Sequence, residues 1–368
     1  MEYRLTLSKR IKSTPFTSRN DLNGASSYTV YNKTLLPTIF ETMLDDYYHL
    51  LEYVQLWDVS CQKIIQIKGP DASNFLSIIS CRDLSRAIPG KCYYTPMTNS
   101  KGGLLNDTLV LCIEKDNFWV SLSDSDIYMW VTGILTNLKL KVSVEERDIS
   151  TIAIQGPNSN ALMRELAGEE IDKLTFFNFK EFRIQNKNHL ISRTGFSKQG
   201  GYEIYIQNSN NGKRLWDTII QEGFKFNLKV GCVNLIERVE SGLLSYGNDI
   251  TKKDTPLDCS LGKYCSLDSD YDFIGKKALL SQRKNGPFKD IYKVYFEAPL
   301  GLETQDLSCY CNERKIGNIT SLVFSPKFNK YLGFMITKKN NIKHDEGFYV
   351  KIRTGMFKAT IENIHEGN

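Results

Sequence analysis

The sequence predicts an α+β protein that ends in an all-β module. Helix-period segments alternate with short strands and antiparallel hairpins over residues 1–285, whereas 286–368 hold only short strands separated by turn signals. The length points the same way, because 368 residues exceed what one hydrophobic core usually serves and call for more than one domain.

The first forty residues, through "SSYTVYNKTLLPT", are polar, aromatic and rich in turn formers, and read as an arm over residues 1–40. In "FETMLDDYYHLLEYVQLWDVS" the apolar positions Phe40, Met43, Leu44, Tyr47, Leu50, Leu51 and Val54 recur at three and four, which predicts an amphipathic helix running into a strand. "KIIQIKGPDASNFLSII" predicts strand, Gly-Pro turn and helix, with Asp71 as the cap. "STIAIQGPNSNALMREL" repeats that grammar, so residues 64–80 and 151–166 are expected to be one supersecondary element used twice. Between the copies, "GGLLNDTLVLCI" and "NFWVSLS" predict two paired strands. The boundary of the β module is expected near "SQRKNGPFKD", where charge and turn residues concentrate.

Composition narrows the function. Hydrophobic residues at 41% and charged residues at 24% are ordinary globular values, and a net charge of +5 with dispersed lysines offers no concentrated basic face to nucleic acid or anionic lipid. "MEYRLTLSKR" has no apolar core and no run of about 18 apolar residues occurs, so a cytoplasmic protein without membrane partners is expected. The nine cysteines include no CxxC pair, and the CxC at Cys309 and Cys311 has no His nearby. Only His49, His189, His344 and His365 are present, so no metal site is expected.

GxGxxG and GxxxxGK[ST] are both absent, and the glycines of "KGGLLND" suit a tight turn. Asp107, in the strand that follows, is either an exposed edge acid or a site acid facing a cavity. In "GFSKQGGYEIY" alternation puts Tyr202, Ile204 and Ile206 on one face, with Glu203 and Tyr205 on the other. Glu203 is then either solvated or a carboxylate that accepts hydrogen bonds from a planar nitrogen heterocycle, with Tyr205 as an aromatic wall. The glycines before it are expected to admit backbone or ligand. In "NLIERVESGLLSYGNDITKKDTP", Arg238, Glu240 and Asp249 form ion pairs or line a pocket.

The order "WDVS", "GPDA", "GGLLND", "GYEIY", "RVESGLLSYGNDI", "TPLDCSLG", "FIGKKAL" and "GNITSLVFSP…YLGFMI" resembles the folate-dependent aminomethyltransferase family, the glycine cleavage T-protein and its relatives, from near residue 40 to the C-terminus. "TPFT", "YTVYN", "YVQLWDVS", "FSKQGGYEIY" and "GCVNLIERVESGLLSYGND" look most like the branch of that family that demethylates dimethylsulfoniopropionate. The resemblance implies a three-domain ring with tetrahydrofolate in its central opening: two intertwined α+β domains within 1–285, and a barrel-like domain over 286–368. It implies that Glu203 holds the pterin, with Tyr205, Arg238, Tyr94 and Asp107 also at the folate, and that Asp107 and Tyr94 are catalytic. Asp107 matches the second acid of the family's Asp-Asp pair, and Asn106 stands at the first. The donor is expected against Tyr31, Tyr94, Phe196 and Tyr205, with its carboxylate on a backbone N–H, Ser121 or Lys198. Phe196 stands where that branch carries Trp, and "YYTPMTN" is less apolar than expected after Tyr94.

The implied reaction moves a methyl group from dimethylsulfoniopropionate to N5 of tetrahydrofolate, giving methylmercaptopropionate and 5-methyltetrahydrofolate. The alternatives are a methylated amine or glycine-cleavage intermediate as donor, or a folate-binding protein without turnover. The partners implied are a small-molecule methyl donor, sulfonium or methylated amine, and at most a second copy of the chain.

Overall fold

A computed structural model describes residues 8–208, 212–299, 307–342, 347–352 and 355–364. His344, His365 and residues 1–7 of the expected arm lie outside the described residues. The chain packs as two compact units. One comprises Met1–Ser73, Ala87–Tyr93 and Thr108–Asn234, and the other Asn74–Arg86, Tyr94–Asp107 and Leu235–Asn368.

The first unit is built on a six-stranded sheet in the order Phe179–Ile184, Lys187–Ser192, Gly201–Gln207, Ile149–Gln155, Val54–Asp58 and Leu228–Gly231. All neighbours are antiparallel except the last pair, and the first three strands follow one another in the chain. One face carries Tyr202, Ile204, Ile206, Ile152 and Ile154. These pack with Leu162 and Met163 of helix Ser159–Ala167 and with Leu215, Trp216 and Ile219 of helix Gly212–Gly223. The alternation read in "GYEIY" therefore holds, but both faces of the strand are buried from Tyr202 to Ile206.

The amphipathic segment forms helix Met43–Glu52 followed by strand Val54–Asp58. Thr42 caps the helix by accepting the Asp45 N–H at 3.0 Å. Tyr47 and Leu50 face inward, while Leu44 is exposed because it lies off the buried stripe.

Both copies of the strand, Gly-Pro turn and helix element form, and their turns agree atom by atom. Gly69 and Gly156 take φ of 137° and 121°, and a Cβ at either would collide with a carbonyl oxygen, that of Lys141 or of Tyr53. Each glycine carbonyl accepts the first helical N–H, from Ala72 at 2.9 Å and from Ser159 at 3.0 Å. The side-chain caps expected at these turns are replaced by other bonds. Asp71 accepts the Lys141 N–H at 2.8 Å, and Asn158 makes no capping bond but donates to the Phe226 carbonyl at 3.4 Å. With the glycine carbonyl already closing the turn, the polar side chain ties down a neighbouring segment.

A five-stranded sheet runs in the order Cys92–Thr98, Leu104–Glu114, Asn117–Ser121, Ile64–Lys68 and Ser143–Arg147. Its first two strands each begin in one unit and end in the other. The glycine turn joining them closes with Asn99 Oδ1 accepting the N–H groups of Lys101 at 2.9 Å and Gly103 at 3.1 Å.

In the second unit, helix Lys276–Asn285 stops at Gly286, and a closed six-stranded barrel follows. The barrel runs Lys289–Phe296, Lys330–Lys338, Arg314–Ser325, Ser308–Cys311, Phe348–Ile352 and Gly355–Asn363. Val294, Phe296, Met335 and Val350 fill it together with Cys309 and Cys311, so the CxC is part of an apolar core. Among the described residues, no helix is long and apolar enough to cross a membrane, and no group of three His, Cys, Asp or Glu could hold a metal ion.

Candidate functional site

In the first unit, strand Gly201–Gln207 lies between two partners that set the surroundings of Glu203. Register places Ser192 opposite on one side and the small Ala153 on the other. Glu203 is only 6% exposed. The Thr194 hydroxyl donates to Oε2, and the Tyr205 hydroxyl approaches the same oxygen at 3.4 Å. Ser192 closes a ring of hydroxyls, 2.5 Å from Thr194 Oγ1 and donating to the Tyr205 oxygen at 3.5 Å. Among the described residues, every hydrogen bond of the carboxylate ends on Oε2, Oε1 accepts none, and no Lys, Arg or His pairs with it. Burial pushes its pKa up, against the opposing pull of the Thr194 and Tyr205 bonds. The Cys92 thiol is raised by burial and then by the Glu203 charge, and the Tyr205 hydroxyl likewise, so both neighbours stay protonated.

Tyr205 is 2% exposed, with its ring centroid 6.4 Å from that of Trp119. The wall expected to face the donor is therefore a support for Glu203: its hydroxyl is turned to the carboxylate and its ring is packed. The glycines admit backbone, as expected, and a side chain as well. A Cβ at Gly195 would overlap the Gln155 amide, and one at Gly201 would overlap both that amide and the Ile154 carbonyl. Gln155 fills this space, donating to the Thr194 carbonyl at 3.2 Å and accepting from Ser197 at 2.8 Å. Gly195 and Gly201 thus make room for a side chain that fixes the Thr194 backbone.

In the second unit, the Tyr94 hydroxyl donates to Asp107 Oδ2 at 2.8 Å from the neighbouring strand. Burial, and then the Asp107 charge, hold the Tyr94 pKa well above its ordinary value, so Tyr94 is a donor and not a base. Tyr264 meets the Tyr94 ring edge-on at 4.8 Å, and Arg82 donates to the Tyr94 carbonyl at 3.1 Å. Asn106 is fully buried on the opposite face of the strand from Asp107.

Arg238, on helix Leu235–Glu240, makes the ion pair that was one of the two readings its sequence left open. Its Nη1 donates to Asp249 at 2.6 Å and to the Leu243 carbonyl at 2.9 Å, and its Nη2 donates to Ser321. Asp249 also accepts from the Ser245 N–H at 2.9 Å, Thr320 at 2.6 Å and Ser321 at 2.5 Å. With side chains 5% and 0% exposed, the pair neutralises itself inside the unit and joins the helix to barrel strand Arg314–Ser325. The physical reason is the buried Asp249, which requires the cation.

The structure thus joins Glu203 with Tyr205, and Tyr94 with Asp107. Tyr31 ends strand Ser27–Tyr31 and is half-buried, as is Phe196, while Lys198 is exposed. Ser121 is buried and donates to Gln62 at 3.2 Å. Thr194, Ser192, Gln155 and Tyr264 were not singled out by the sequence reading. Only the two hydroxyl residues flanking Arg193, just ahead of "GFSKQGG", offered any signal.

An α+β body carrying a closed C-terminal barrel and a buried, ion-unpaired acid on a glycine-flanked strand has the outline of a T-protein-type aminomethyltransferase. The chain belongs to the family described as GCVT N-terminal domain, whose model matches residues 16–269. It is 38% identical to the dimethylsulfoniopropionate demethylase DmdA of Ruegeria pomeroyi, over 96% of this chain and 97% of that one. It is 30% identical to an aminomethyltransferase of Thermoanaerobacter pseudethanolicus, over 90% and 92% of the two chains. The glycine cleavage system aminomethyltransferase T of Bartonella henselae shares the fold, with a TM-score of 0.85, 20% identity and coverage of 96% and 98%.

Proposed function

We propose that this chain is a tetrahydrofolate-dependent methyltransferase that takes a methyl group from dimethylsulfoniopropionate, giving methylmercaptopropionate and 5-methyltetrahydrofolate. The observation that carries the reading is 38% identity to a demethylase of that donor over nearly the whole of both chains. The residues fit a folate. A buried carboxylate without a cation, one oxygen of which takes no protein donor, suits the N–H edge of a pterin.

When bound, tetrahydrofolate supplies N5 as the nucleophile. Glu203 Oε1 would accept from the pterin and fix its orientation. Within the second unit, Tyr94 keeps its proton and donates a hydrogen bond to Asp107, which holds that carboxylate in place. Transfer would form the N5–methyl bond, break the methyl–sulfur bond with a neutral sulfide leaving, and release the N5 proton as the product forms, so alignment of donor and acceptor and exclusion of water carry most of the catalysis. The faces of Tyr31 and Phe196 attract the cationic donor, at about 0.5 to 2 kcal/mol each when desolvated. Ser121 or Lys198 takes its carboxylate.

The test is incubation of the purified protein with tetrahydrofolate and dimethylsulfoniopropionate, followed by mass spectrometry. Equal yields of 5-methyltetrahydrofolate and methylmercaptopropionate are expected. Methylfolate formed only from dimethylglycine, or 5,10-methylenetetrahydrofolate formed instead, would move the donor to the amine class. Folate binding without consumption of any donor would remove the enzymatic reading.

A further inference from the structure

Glu203 has two oxygens in unlike situations, and the difference comes from three hydroxyls. Oε2 receives Thr194 and Tyr205, while Ser192 bridges those two hydroxyls from the opposite strand. The three hydroxyl protons are thereby all used: two point at Oε2 and the third goes from Ser192 to one of its neighbours. Nothing comparable reaches Oε1. We infer that Thr194, seconded by Ser192, is a positioning residue that pins Oε2 so that Glu203 presents Oε1 alone to a ligand N–H.

This inference rests on the folate reading only for the identity of that ligand. Thr194 is itself held: it is buried, and Gln155 takes its carbonyl in the space that Gly195 and Gly201 leave open. A rigid donor lowers the cost of keeping the carboxylate charged in a buried setting, whereas a mobile one does not. The titratable groups that face Glu203 are Tyr205 on its own strand and Cys92 on strand Cys92–Thr98, both kept neutral by burial. The flanking strands bring Ala153 and Ser192, which do not titrate. An ionised Glu203 accepts at Oε1, while a protonated one turns that oxygen into a competing donor. Ligand affinity is therefore expected to fall as pH drops through the Glu203 midpoint, and Thr194 sets where that happens.

The experiment uses the full chain with Thr194→Val and Thr194→Ser. The Glu203 midpoint is followed by NMR of ¹³C-glutamate-labelled, ligand-free protein, the resonance being assigned by its absence in Glu203→Gln. Thr194→Val is expected to raise the midpoint by about one pH unit and to weaken tetrahydrofolate binding at neutral pH about tenfold, as the loss of one bond to a charged acceptor implies. Thr194→Ser is expected to restore both. If Thr194→Val does not fold, Ser192→Ala is expected to move the midpoint the same way by a smaller amount. An unmoved midpoint in the folded variants overturns the inference. A moved midpoint in a protein that binds no folate leaves the positioning role standing and removes the folate reading instead.

Discussion

Glu203→Gln should separate binding from stability in opposite directions. The substitution keeps shape but removes the charge. Oε2 holds the Thr194 and Tyr205 donors, so the amide oxygen takes that place and the NH2 group stands where Oε1 met the ligand, which loses one charge-assisted bond and leaves donor facing donor. Such a bond contributes about 1.5 to 3 kcal/mol, so binding weakens by about ten- to 150-fold. Stability moves the other way. Burial raises the folded pKa of Glu203 above its unfolded value. Its contribution is therefore fully present below the unfolded pKa and is lost as pH rises through the folded one. At neutral pH the charge is destabilising, and Glu203→Gln should raise Tm there and remove that component of the pH dependence. Anaerobic titration of tetrahydrofolate by calorimetry, with scanning calorimetry of both proteins at several pH values, reads both effects. Unchanged folate affinity would take Glu203 out of the site, and a lowered Tm at pH 7 would show that the carboxylate is compensated in a way its bonds do not reveal.

Tyr94→Phe removes the 2.8 Å donor to Asp107 and should lower kcat about tenfold, the worth of one hydrogen bond to a charged group. Because Tyr94 stays protonated far above its ordinary range, the wild-type rate profile should show no tyrosine limb below pH 9, and such a limb vanishing in Tyr94→Phe would contradict the donor role. Asp249→Asn leaves Arg238 as an uncompensated buried cation and should cost about 3 to 5 kcal/mol in urea unfolding. The double change Arg238→Met with Asp249→Leu should cost less than the single one, which a double-mutant cycle would check.

Glu203 stood out as a candidate because an acid within an alternating apolar pattern, beside three glycines, conflicts with local propensity, and such conflicts are where a site is sought. The two Gly-Pro elements were legible because the same close approach to a carbonyl imposes the same residues twice. Arg238 was half legible: the sequence left it between an ion pair and a pocket lining, and the fold shows the pair and names Asp249 as the partner. Thr194 and Gln155 were hidden. Serines, threonines and glutamines are common in loops and strands, and their meaning here comes from register and from the missing Cβ atoms of Gly195 and Gly201. The glycines suggested a close approach but not whether a ligand or Gln155 made it.

Strands Cys92–Thr98 and Leu104–Glu114 both pass from one unit to the other, so neither unit corresponds to a continuous stretch of chain. During synthesis the hairpin tip around Asn99 must wait until Lys252 and residues 274–279 have left the ribosome before it can be covered. Cutting the gene at any single point therefore yields two incomplete halves, and the nascent chain carries an unburied β-hairpin for much of its synthesis, the kind of surface that chaperones exist to shield.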